Sequence, residues 1–213
     1  LSPVHPSPNV DWGYDVADYY DVHADYGTLD DVDALVAGAH AKSIDVWLDL
    51  VPNHTSDKHP WFTDHPEYYV WSDHIPNDWR SIFTGGSAWS YDSKRKRYFL
   101  HQFAPQQPDL DWWNPGVRDE FDRILSFWFD RGIRGLRIDV AHGIIKDREL
   151  RDGGDIYMRN RPEVHDVFAH WQRVAAAYDP KPILMGETYV SLEQLPPYWQ
   201  HLDLVQNFPF LRA

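Results

Sequence analysis

Three apolar runs in this 213-residue chain each end in groups able to do acid–base or nucleophilic chemistry. Ile44–Val51 contains Asp49 and is followed by Asn53 and His54, Ile133–Val140 contains Arg137 and Asp139, and Ile183–Gly186 runs into Glu187. Arg137 and Asp139 stand two apart, so on a strand they share a face. A guanidinium beside a carboxylate lowers its pKa and keeps it ionised, as a nucleophile requires. Glu187 follows Ile183, Leu184 and Met185, surroundings that push a carboxyl pKa up toward that of a general acid. One ionised and one neutral carboxyl group is the pairing used in glycoside hydrolysis. At about 5–5.5 Å apart such a pair retains the anomeric configuration through a covalent intermediate, and a wider gap inverts it.

These groups have to be positioned by strands and helices. The spacing of Leu29, Val32, Leu35, Val36 and Ala39 predicts a helix leading into the first run. Amphipathic helices are predicted over Val117–Asp130 and from about Glu163 to Tyr178, each leading into the next run, and Leu202–Phe208 reads as a last short strand. Alternating strands and helices imply a parallel sheet, open or closed, with ligands at the carboxyl ends of its strands. From about Asn53 to Gln107 the periodicity dissolves into Trp, Tyr, His, Asp, Pro and Gly, with strand-like pieces such as Arg97–Phe103. That segment reads as an insertion. A closed eight-fold barrel takes about 250 residues, so the rest of the chain supplies only part of one.

Four segments in order, Asp49-Leu-Val-Pro-Asn-His54, Gln107-Pro-Asp-Leu-Asp111, Gly135-Leu-Arg-Ile-Asp139 and Gly186-Glu187, resemble the signature segments of the α-amylase family, glycoside hydrolase family 13. Gly13-Tyr-Asp-Val-Ala-Asp-Tyr19 and His54-Thr-Ser-Asp-Lys-His-Pro-Trp-Phe62 resemble its α-glucosidase and oligo-1,6-glucosidase branch. The resemblance implies a partial (β/α)8 TIM barrel: residues 1–53 as barrel from the end of strand 2 to strand 3, 54–107 as inserted subdomain B after strand 3, and 108–213 as strands 4 to 6. Strand 1, strands 7–8, a C-terminal domain and a third catalytic Asp are expected outside the chain. Asp139 is then the nucleophile, Glu187 the acid/base and Arg137 the residue orienting Asp139, with Asp49 as structural support. Tyr14 would stack on the sugar, Asp15 and His54 would bind its hydroxyls, and His142 would line the acceptor side. The implied activity is exo-acting, retaining hydrolysis of α-glucosidic bonds in small malto- or isomalto-oligosaccharides, with this chain alone inactive. A transglycosylase or isomerase of the same family, of trehalose-synthase or sucrose-acting type, is the alternative, and a non-catalytic carbohydrate-binding scaffold is the rival from another class.

Composition narrows the field further. Twenty Lys and Arg against 33 Asp and Glu give −13, which repels nucleic acid and anionic membranes. With no Cys there is no disulfide and no thiolate site, and no apolar run reaches the roughly 18 residues of a membrane span. A cytoplasmic setting is expected, although the start carries no initiator Met and an export signal upstream stays open. No cofactor is expected, and Asn53 is the one residue considered for calcium. His54, His59 and His65 match no zinc spacing. Trp61, Phe62, Tyr68, Tyr69, Trp71, Trp79, Trp89, Trp112 and Trp113 are read mostly as core, and Lys94–Arg97 as a solvated hairpin tip.

Overall fold

In the computed structural model, which describes residues 1–211, an irregular N-terminal loop leads to α1 (Leu29–His40) and then β1 (Trp47–Leu50). α1 starts where Thr28 and Asp31 cap each other's backbone N–H groups, and it buries Val32 and Val36. After β1 come α2 (Pro60–Asp64), β2 (Trp71–Ser72), β3 (Trp89–Asp92) and β4 (Arg97–Leu100). Helix α3 (Pro115–Asp130) begins at the Asn114 cap with Pro115 in its first turn, and turns Val117, Phe121, Ile124, Leu125 and Trp128 inward at helical spacing. The chain continues through β5 (Gly135–Ile138), α4 (Asp155–Met158), α5 (Val164–Ala175), β6 (Ile183–Gly186), α6 (Pro196–Trp199), β7 (Leu204–Val205) and α7 (Phe208–Leu211).

β1, β5, β6 and β7 form one parallel sheet in that order. Its register sets Asp49 beside Arg137 and Arg137 beside Met185, so the residues just past each strand lie at one rim. The ladder persists beyond the strands, since Asp139 N–H donates to the Leu50 carbonyl and Glu187 N–H to the Ile138 carbonyl, at 2.8 and 2.9 Å. Gly186 lets the Leu202 side chain close on the strand, because a Cβ there would sit 2.5 Å from Leu202 Cδ1. The strands are shorter than the apolar runs suggest. Ile44 is exposed and Ser43 turns the backbone at φ 59°.

Between β1 and α3, β2, β4 and β3 form an antiparallel sheet. Trp79, Trp89, Leu100 and Met158 make a small core of their own, whereas Tyr69 and Trp112 are buried in the main core and Trp61, Phe62, Tyr68, Trp71 and Trp113 pack against it. The hairpin basic run is only partly a solvated tip. The Arg95 guanidinium lies over Phe62 and Trp71, 5.3 Å from each ring, and donates to the Phe62 carbonyl and to Asp92, so it staples the hairpin to the body.

The stretch from 141 to 161 is tied to this insertion. Asn77 Nδ2 donates to the Leu150 carbonyl, Trp79 Nε1 to the Arg151 carbonyl, and Gly153 N–H to Asp78. Among the described residues no helix is long and apolar enough to cross a membrane.

Candidate active site

The carboxyl ends of β1, β5 and β6 open into a cavity of about 520 Å³. Arg137 is its hub. Nη1 donates to Asp49 Oδ1 and Oδ2 at 2.7 and 2.9 Å and to Asp139 Oδ1 at 2.7 Å, while Nη2 meets Glu187 Oε2 at 2.9 Å. Asp139 and Glu187 are close enough to share a hydrogen bond when one of them carries a proton. With both bonded to the two ends of one guanidinium, the two carboxyl groups lie on one side of the rim. Val140, directly after Asp139, sits in the left-handed region at φ 45°, a strained conformation for a β-branched residue. This turn aims its N–H at Glu187 Oε2, 2.9 Å away.

The expectation that Arg137 keeps the Asp139 carboxyl low needs correction. Burial first, then the facing Glu187, push Asp139 well above the ordinary carboxylate range, and Arg137 offsets this only in part. One guanidinium serves three carboxylates here, so Asp139 holds its proton to higher pH than an ordinary carboxyl would. Burial likewise raises Asp49 against the pull of Arg137 and Tyr14.

Around the acids, Tyr14 donates its hydroxyl to Asp49 Oδ2 at 2.9 Å and lies under the Arg137 guanidinium, 5.8 Å from ring centre to Cζ. His54 lines the cavity with its Nε2 3.2 Å from the Tyr14 carbonyl, and burial lowers its pKa to about 4, so the ring is neutral. His142 is also in the wall and also neutral, with burial taking its pKa to about 4.

Asp15 is not in the wall. Its carboxylate is fully buried beneath, accepting from Ser7 Oγ and from the N–H groups of Val10 and Asp11, so neither oxygen is exposed to a sugar in the cavity. The acid that faces the cavity is Asp11, held at 2.9 Å by Gln107 Nε2. The sequence missed it because a lone Asp in a turn-rich loop carries no periodicity. Phe103, Arg159 and Tyr189 also line the cavity without having been singled out.

Asn53 does not suit calcium. Its Oδ1 accepts from Lys146 Nζ at 2.7 Å and Gln102 Nε2 at 2.9 Å, and Asp109 Oδ2 meets the same two groups at 3.1 and 2.9 Å. The buried ammonium already neutralises the oxygens that a calcium ion would need. His59 caps α2 and His65 pairs with Glu67 outside, so the three histidines do not converge.

The whole described architecture matches known proteins. The model of the α-amylase catalytic domain matches residues 1–213. Maltase 1 of Drosophila virilis is 40% identical over 99% of this chain and 39% of its own length, and oligo-1,6-glucosidase of Parageobacillus thermoglucosidasius is 42% identical over 88% and 37%. Among solved structures, trehalose-6-phosphate hydrolase of Bacillus licheniformis superposes with a TM-score of 0.92 at 36% identity, over all of this chain and 42% of that one. The chain belongs to the α-amylase family, glycoside hydrolase family 13, and its parallel sheet is an arc of that family's (β/α)8 barrel. It spans about two fifths of the length of these relatives.

Proposed function

We propose that the protein carrying this chain is a retaining α-glucosidase that removes glucose from small malto- or isomalto-oligosaccharides. The observation that carries the reading is the Asp139–Glu187 pair: two carboxyl groups from adjacent strand ends, in reach of each other and fixed by one guanidinium. The Asp139 oxygen attacks the anomeric carbon as Glu187 gives its proton to the departing glycosidic oxygen. Water, deprotonated by Glu187, then cleaves the glycosyl ester and restores both groups. Arg137 and Asp49 orient Asp139, Tyr14 stacks on the sugar, and Asp11 and neutral His54 take its hydroxyls. Residues 54–107, as subdomain B, supply the opposite wall through Ile82, Phe83 and Phe103. The retention of the full Arg137–Asp139–Glu187 set argues against a carbohydrate-binding scaffold, which needs none of it.

The test is the complete protein with maltose, isomaltose, trehalose and sucrose, following products by NMR. α-Glucose as the first-formed sugar supports the reading, and β-glucose or no turnover contradicts it. A second reading rests on neighbours such as the trehalulose synthase MutB, 34% identical with a TM-score of 0.91. It predicts a rearranged disaccharide from sucrose in place of free glucose.

A further inference from the structure

Next to the catalytic cavity lies a second one of about 760 Å³, and His142, Arg159 and Tyr189 line both. Glu187 lines the first cavity and precedes by two residues Tyr189, which lines both, so we place the sugar that leaves with the Glu187 proton in the second. That placement rests on the glycosidase reading above. Two arginines line the second cavity, and both have acidic partners. Arg159 is bonded to Asp155 one helical turn before it, and Arg161 lies 3.7 Å from both Asp147 and Glu163. Arg159 is held in place from behind. Met158, its neighbour, is buried against Trp79, Trp89 and Leu100 of the insertion, and Asn160 N–H donates to the His142 carbonyl at 2.6 Å.

We propose that the Asp155–Arg159 ion pair selects the leaving group. Paired, it offers an uncharged sugar both donors and acceptors for neighbouring hydroxyls, while the Asp155 carboxylate repels a leaving group that carries a phosphate. Freed of Asp155, the Arg159 guanidinium becomes a phosphate-binding fork. A specificity that is a difference of two affinities is shifted by removing the repulsive member.

The experiment compares maltose with maltose carrying a 6-phosphate on its leaving, reducing-end glucose, in the complete protein, wild type and Asp155→Asn, with α-glucosyl fluoride, whose leaving group is too small to reach the second cavity, as the measure of cleavage chemistry. Wild type is expected to favour the neutral disaccharide in kcat/KM at least tenfold, and Asp155→Asn to move that ratio toward the phosphorylated one by at least tenfold. Arg159→Gln is expected to raise KM for both disaccharides several-fold and leave their kcat ratio unchanged. Intact glucosyl fluoride turnover with an unmoved ratio in Asp155→Asn would overturn the selector role alone. Absence of that turnover in the wild type would overturn the glycosidase reading, and this one with it.

Discussion

Asp139 and Glu187 reach each other because the Val140 turn and the Arg137 fork both close on Glu187 Oε2. The consequence at this scale is a titration. With Asp139 displaced upward by burial and by Glu187, the acidic limb of kcat/KM should lie above the ordinary carboxylate value of about 4, because below it the nucleophile is protonated. Replacing Arg137 by Gln removes the charge that opposes this shift, so the limb should move further up and kcat/KM fall by about 10²-fold or more. A pH–rate series on both proteins checks this. The same shift has a stability consequence with a definite sign. A folded-state pKa above the unfolded one means that the native state binds more protons, so stability falls as pH rises between the two values. Asp139→Asn should therefore melt higher than wild type at pH 7, and the gain should vanish below about pH 4, as read by calorimetry at both pH values.

At the scale of elements, the three rim strands were legible because each is a short β-branched or apolar run ending in a polar group. α1, α3 and α5 were legible from period and caps. The region from 141 to 161 was not, since Leu150, Tyr157 and Met158 pack on Trp79, Trp89 and Leu100, far back in the chain, which no local pattern encodes. Asp15 was misplaced for a related reason: adjacent turn acids differ only in which one the loop folds under, and the three donors that take Asp15 are set by that loop. Lys146 had a weak signal, a lone Lys after Ile144 and Ile145, and it proves to be the buried partner of Asp109. Lys146→Met should cost about 3–5 kcal/mol by leaving Asp109 buried without its cation, and adding Asp109→Asn should restore much of the loss. Urea unfolding of both variants measures it. Trp79→Ala should cost about 3–5 kcal/mol and, by loosening the Met158 anchor, raise disaccharide KM more than it lowers kcat.

For the whole molecule, the parallel arc carries the acids and the insertion faces them across the cavity through Ile82, Phe83 and Phe103, while sharing the main core through Tyr69 and docking on residues 141–161. The ordered segments made the family legible from sequence, because three of them end on rim strands where a particular group is needed and the fourth, Gln107–Asp111, supplies the buried carboxylate that Lys146 and Gln102 hold. The shape of the second cavity was not legible, since it depends on how the insertion and that stretch dock. The central claim is that Asp139 forms a covalent bond to the sugar while Glu187 moves the proton. It is tested most directly by incubating the complete protein with a fluorinated glucosyl fluoride, which forms the glycosyl ester faster than water removes it, and mapping the label by peptide mass spectrometry. One label per molecule, on Asp139, is the expected result. A label on another residue, or none while substrate is still turned over, would contradict the account.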